Sequence, residues 1–349
     1  MRTVLVTGTA GFIGFHVARL LLAEGGFRVI GYDNLNSYYD VKLKEGRRAI
    51  LKEHDNYTDV IGNLEDLETL KAAVADTPPD VIIHLAAQAG VRHSLDAPGE
   101  YIQSNVVGTF NVMEIAREHK VVHLMIASTS SAYGANTEYP FRETQKSDLP
   151  LTIYAATKKA TEGMGHCYAS LWGIPTTMFR FFTVYGPWGR PDMAYFKFTD
   201  RILNGKPIDI YNHGEMERDF TYVDDLVRAI RLLMDAPPLP PEERGEDFPG
   251  DSVSPVAPHR LVNIGNSQSE KLLDFIEEIE RALGQKAKRN YMDMQPGDVK
   301  KTWADATLLQ ALTGYKPETS IREGVDAFVA WYVDFYGIDA AQKRGMPAS

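Results

Sequence analysis

The chain has 349 residues, with 37 Lys+Arg against 47 Asp+Glu for a formal net charge of −10, and it is 44% hydrophobic and 24% charged. That balance excludes a disordered chain and argues against bulk nucleic-acid binding, which needs a basic face to displace counterions. The length suits about two domains, and the one cysteine, Cys167, can form neither an internal disulfide nor a zinc cluster, which fits the cytoplasm best.

In chain order, apolar runs alternate with amphipathic stretches. Strands are predicted over residues 3–8, 28–33, 59–62, 80–87, 123–128 and 176–185, and helices over 12–24, 64–75, 100–118 and 152–171. Continuous apolar runs such as Val81-Ile82-Ile83 and Leu124-Met125-Ile126 suit strands buried on both faces of a parallel sheet. The alternation predicts an α/β fold, a doubly wound parallel sheet. Past residue 186 the texture changes. Gly186-Pro187-Trp188-Gly189-Arg190-Pro191 breaks any regular element, and a helix over 223–234 starts on paired aspartates. Residues 236–258, rich in Pro, Glu and Asp, read as an exposed loop. Two capping boxes are predicted, at Ser267-x-x-Glu270 and Ser320-x-x-Glu323. The division expected is a larger domain over 1–182, rejoined near 219–236, and a smaller α/β substrate domain over 183–349. No run approaches the ~18 apolar residues of a membrane span. Gly8, Gly11 and Gly14 punctuate the N-terminal apolar stretch and argue against a secretory signal.

Thr7-Gly8-Thr9-Ala10-Gly11-Phe12-Ile13-Gly14 lies where the first predicted strand becomes a helix. Glycines there allow a tight turn, a close approach of backbone to a pyrophosphate, and tight helix–strand packing, with helix N–H groups facing the anion. Asp33 ends the second strand, 19 residues beyond Gly14. An acid there accepts bonds from an adenosine ribose and repels a 2′-phosphate, favouring NAD over NADP. Tyr154 and Lys158 fall at i and i+4, on one helix face. A cation beside the phenol, together with a positive nicotinamide ring, lowers the phenol's pKa and makes it a base for a substrate hydroxyl. Ser128-Thr129-Ser130-Ser131 ends the fifth strand, at the sheet edge where ligands collect. The histidines lack metal-ligand spacing, and no metal is expected.

The GxxGxxG spacing, His84-Leu85-Ala86-Ala87, Asn105 and the Tyr154/Lys158 pair resemble the extended short-chain dehydrogenase/reductases, a Rossmann-type family. The resemblance implies a cofactor site of Gly8, Gly11, Phe12, Ile13, Gly14, Asp33, Asn34, Asn63, Leu64, Ala86, Ala87, Asn105, Ser128, Tyr154 and Lys158. It makes Thr129 a catalytic partner of Tyr154 and Lys158. Asn63 stands where relatives commonly carry an Asp toward the adenine. The family also implies a homodimer packed through the helices near 100–118 and 152–171. A regulatory NAD sensor of the same fold typically lacks the Tyr/Lys pair that this chain keeps.

Longer stretches resemble UDP-glucuronate 4-epimerases: residues 33–40, 86–92, 181–193 and 218–225. Oxidising C4 of a hexuronate places a ketone β to the carboxylate, which then loses CO₂ readily unless it is held near the carbonyl plane. Neutral hydroxyls can do this, and Ser130, Ser131 and Thr183 fit the role. The resemblance further implies that Arg218 and Asp298 grip diphosphate and ribose, that Arg190 lies near the sugar, and that Arg92 is a weaker phosphate ligand. UDP-glucuronate decarboxylases carry a Glu soon after the catalytic Thr, and nucleotide-sugar 4,6-dehydratases Asp-Glu, so Ser130-Ser131 disfavours both. A UDP-glucose 4-epimerase and a UDP-glucuronate decarboxylase stay open as rivals.

Overall fold

In the computed structural model, which describes residues 1–245 and 249–338, seven parallel strands form one sheet. They are β1 (Arg2–Thr7), β2 (Phe27–Asp33), β3 (Tyr57–Ile61), β4 (Val81–His84), β5 (His123–Thr129), β6 (Thr176–Phe181) and a further strand, His259–Ile264. Their order is His259–Ile264, β6, β5, β4, β1, β2, β3. The strand order reverses between β1 and β4, which opens a crevice beyond their C-terminal ends. β4 and β5 are buried at every position, as continuous apolar strands covered on both faces must be. One face packs on α1 (Phe12–Glu24) and the helix Val223–Leu233; the other packs on Gly108–His119 and Ile153–Trp172. A separate core joins the helices Ala194–Leu203, Leu272–Leu283 and Ile321–Phe335 through Tyr195, Phe275, Ile279, Phe328 and Tyr332.

Several expectations need correction. The run 176–185 is two strands, β6 and Thr183–Tyr185; the second leaves the main sheet to pair with Phe220–Tyr222. The predicted helix over 100–118 is a short helix, Pro98–Tyr101, then a π-helical turn, Ile102–Val107, then Gly108–His119. The Ser320/Glu323 capping box is formed, but the one at Ser267 is not. Ser267 has φ 57°, and Glu270 pairs with Arg218 in a two-residue ladder, so the next helix begins only at Leu272. Two helices without a sequence expectation, Val41–Leu51 and Ala194–Leu203, flank the crevice. Part of the 236–258 loop and the last residues of the chain fall outside the described residues. No described helix is long and apolar enough to cross a membrane.

Candidate active site

Two cavities meet above the C-terminal ends of the sheet. The first runs along the β1–α1 turn, and its walls include Gly8, Gly11, Phe12, Ile13, Gly14, Asp33, Asn34, Leu64, Ala86, Ala87, Ser128, Thr129, Tyr154 and Lys158. The turn is built without side chains because nothing else fits. A Cβ on Gly14 would lie 2.1 Å from the Gly8 carbonyl oxygen, and Gly8, at φ 80°, would drive one to 2.9 Å from the Ala86 nitrogen. No side chain caps α1, so its first amides open toward the cavity as an anion site. Asp33 accepts from the backbone N–H of Ala10 at 3.1 Å and of Leu35 at 2.9 Å. Those bonds fix the carboxylate while each oxygen keeps a lone pair for a ribose hydroxyl. This cradle fits NAD: a backbone bed for the diphosphate and an acid for the adenosine ribose.

Asn63 and Asn105 lie off the cavity wall. The Asn63 side-chain carbonyl accepts from the Asn34 amide at 3.1 Å, beside the wall made by Gly62 and Leu64. Asn105, on the π-helical turn, is fully buried and spends its amide on the Gln88 carbonyl (3.0 Å), the Gln88 N–H (2.8 Å) and Thr157 (3.1 Å). It thereby holds the segment after β4 that forms the cavity wall. The helix Val41–Leu51 supplies what the sequence did not signal. Lys44 lines the cavity, its ammonium donating to Asn36 Oδ1 at 2.6 Å and to the Asn36 carbonyl at 2.7 Å. Arg47, wholly buried, donates to the carbonyl of Ala10 in the glycine turn and to those of Trp188 and Gly189.

The second cavity is walled by every residue expected at the sugar nucleotide: Thr129, Ser130, Ser131, Thr183, Arg190, Arg218, Asp298 and Arg92. Ser130 and Ser131 start a tight helical turn after β5, and the Thr129 hydroxyl accepts from the Ser131 N–H at 3.1 Å. Arg218 reaches the carbonyls of Val299 (2.6 Å), Glu217 (2.8 Å) and Lys300 (3.1 Å), and burial holds its pKa below the usual value. Arg92 pairs with Asp298 at 2.9 Å and lies over the Tyr211 ring. Arg190 forms a two-point pair with Asp192 at 3.0 and 2.5 Å, and the Tyr38 hydroxyl donates to the same carboxylate at 3.3 Å.

Thr129, Tyr154 and Arg190 wall both cavities, so the reacting carbon belongs at that junction. Burial raises the Tyr154 phenol above its ordinary pKa, opposed by the Thr129 hydroxyl and the Arg190 charge. The sequence shows the positive charges that lower the phenol's pKa, the Lys158 cation and the nicotinamide ring, but not this desolvation, which only the fold reveals. Lys158 is buried and pushed down to about 8 by desolvation, with the Glu162 carboxylate working in the other direction. His84, held between Thr7 (2.7 Å) and Thr109 (3.0 Å), is depressed to about 3 by burial and by Lys158, and is therefore neutral.

A Rossmann-type sheet with a glycine cradle, and a Thr–Tyr–Lys group facing a second cavity, define a dinucleotide-binding oxidoreductase scaffold. The model of the NAD dependent epimerase/dehydratase family matches residues 4–244, and the chain belongs to that family. It is 53% identical over 332 residues to a probable UDP-glucuronate 4-epimerase of Rhizobium meliloti, covering 95% of this chain and 97% of that one. The crystal structure of UDP-glucuronic acid 4-epimerase from Bacillus cereus, in complex with UDP-glucuronic acid and NAD, matches with a TM-score of 0.83 at 31% identity, over 96% of this chain and all of that one. A UDP-glucose 4-epimerase of Thermotoga maritima, solved with UDP-glucose, matches with a TM-score of 0.80 at 29% identity, over 96% and 99% of the two chains.

Proposed function

We propose that the chain interconverts UDP-glucuronate and UDP-galacturonate in the cytoplasm, as a homodimer that keeps its NAD through the cycle. Bound NAD supplies a reversible two-electron oxidation at sugar C4. The protein's own part is acid–base and positional. Tyr154 takes the O4 proton and later returns it, with Thr129 sharing O4, while Lys158 supplies positive charge that favours the phenolate. Ser130, Ser131 and Thr183 hold the C6 carboxylate near the plane of the C4 carbonyl, where overlap with the breaking C5–C6 bond is poor. Arg218, Arg92 and Asp298 take the nucleotide and its diphosphate.

The observation that carries the uronate reading is the end of β5. Two hydroxyl residues, Ser130 and Ser131, follow the catalytic threonine on the wall of the sugar cavity, so neither of these two positions offers a carboxylic acid to help CO₂ depart. The test is product analysis from UDP-glucuronate without added NAD. UDP-galacturonate retaining a C4 deuterium is expected; UDP-xylose with CO₂, or preferred turnover of UDP-glucose, would instead support the rivals. The dimer reading rests on exposed apolar residues of the helices implied by resemblance, with Ile102 46%, Phe110 42% and Ile153 40% exposed. The cytoplasmic reading rests on the single cysteine.

A further inference from the structure

The helix that carries Tyr154 and Lys158 carries a third ionisable side chain in the same row. Glu162 lies one turn beyond Lys158. It is 3% exposed, touches neither cavity, and collects four donors. Arg180, wholly buried on β6, grips it with Nε at 2.8 Å and Nη2 at 2.7 Å. Lys159 reaches Oε2 at 3.0 Å, and the Ser128 hydroxyl donates to Oε1 at 2.7 Å. These donors keep the acid ionised, down to about 2.

We propose that Glu162 is a positioning residue for the reaction, holding Lys158 in its ammonium form and turning the Ser128 hydroxyl so that its lone pairs face the cofactor cavity. The inference rests on Tyr154 and Lys158 serving the epimerisation. Burial strips a lysine of its proton unless a negative charge stands near, and the other groups around Lys158 do not provide one. On its own helix, Tyr154 carries a phenol whose ionisation burial opposes and the Thr129 hydroxyl and Arg190 charge favour. From β4 comes neutral His84, and from β6 comes Arg180, whose positive charge lies behind the carboxylate. The π-helical turn contributes uncharged Asn105 to Thr157. Tyr101 packs its edge on Tyr154, with His93 and Glu100 bonded to one another at the same end of the helix. At the far end, Glu114 and Arg117 serve Tyr168 and Trp172, and His166 meets His259 edge to face. Among the described residues, Glu162, one helical turn away, is the carboxylate whose charge acts on the Lys158 ammonium. A buried ion pair stabilises a fold no better than an apolar pair of equal volume, so its field is what the pair adds here. Ser128 gives its single proton to Glu162 and so meets the cofactor cavity as an acceptor.

The test is the pH dependence of kcat for holoenzyme carrying Glu162→Gln, which keeps an acceptor for Ser128 and Arg180 but removes the charge. The loss of activity on the alkaline side should move to lower pH by about one unit. Turnover at pH 7 should fall only about two-fold and at pH 8 about five-fold, following the ammonium fraction as its midpoint moves from about 8 to roughly one unit lower, with KM for UDP-glucuronate within about two-fold of wild type. Glu162→Asp should restore the wild-type midpoint. An unmoved midpoint in folded Glu162→Gln protein would overturn the proposal, because a purely structural residue lowers activity equally at every pH. If the single variant fails to fold, Glu162→Gln with Arg180→Met removes both buried charges, and a smaller shift in the same acid-ward direction is expected, because the lost guanidinium offsets part of the lost carboxylate. Isotope-edited NMR of the lysines in unaltered holoenzyme covers the remaining case. Lys158 should be an ammonium at neutral pH, and a neutral amine would overturn the proposal. Wild-type enzyme that makes no UDP-galacturonate would count against the proposed reaction, whereas active wild type with an unmoved midpoint counts against Glu162 alone.

Discussion

Tyr154 stands at the junction of two cavities, where burial favours its protonated form and the Thr129 hydroxyl and Arg190 charge favour the phenolate. Tyr154→Phe deletes the proton-carrying oxygen and leaves the ring packed against Tyr101. Turnover should drop roughly a hundred- to ten-thousand-fold. The NAD content of the purified protein, read after denaturation, should stay at the wild-type level. Replacing Ser130 and Ser131 with Ala should release CO₂ from UDP-glucuronate or weaken the preference over UDP-glucose; unchanged products and preference would refute the carboxylate clamp. At this scale the sequence was most legible where chemistry demands particular residue types at fixed spacing. The glycines, Asp33, Thr129, Tyr154 and Lys158 all line one cavity. Lys44, Arg47 and Glu162 were not legible. Each is a charged residue in a helix, the usual mark of a solvated face, and only the tertiary fold shows that these are buried.

Elements were read well where periodicity was strong and poorly where backbone geometry was irregular. Helix α1 spans the predicted 12–24, because its glycine turn fixes the start and Gly25 follows its end. The π-helical turn at Ile102–Val107 is invisible to a 3.6-residue period, and the ladder at Glu270 overrode a good capping sequence. The helix Val41–Leu51 was missed because it buries Lys44 and Arg47 in place of an apolar stripe. The glycine turn gives an element-scale prediction. With Gly14 as Ala, the added methyl would sit 2.1 Å from the Gly8 carbonyl, forcing α1 and the turn apart. The purified variant should carry much less NAD than wild type, measured by absorbance after release, while circular dichroism keeps its helical content.

Across the whole molecule, buried titratable groups set the acid stability. His84, His123 and His259 are depressed by burial to about 3, 4 and 4 from 6.5. Below pH 6.5 the unfolded chain binds protons there that the folded chain refuses, so these groups cost stability as pH falls. Glu143 and Asp219 work oppositely, being raised by burial to about 7 and about 6. The folded state keeps their protons where the unfolded state has released them, so their penalty is relieved on acidification. His16 is depressed by burial as well, so four groups against two leave a net loss, at about 1.4 kcal/mol per pH unit for each net proton. Denaturant unfolding should therefore give lower stability near pH 5 than near neutrality, by roughly 1–3 kcal/mol. Glu143→Gln should steepen that loss. For the proposed homodimer, Phe110→Glu places a charge on the exposed helix face; sedimentation should show a dimer for the wild type and a monomer for the variant, and a monomeric wild type would overturn the dimer.

Arg47 touches the Ala10 carbonyl in the turn that would seat a diphosphate, and also the Trp188 and Gly189 carbonyls, immediately before Arg190. One guanidinium thus fastens the seat of the redox carrier to the loop that greets the sugar. The glycine turn and the loop before Arg190 share one buried tie. Such an architecture suits a catalyst that lends out and recovers the same electron pair at each turnover, and whose pace is uncoupled from the oxidation state of the surrounding nicotinamide pool.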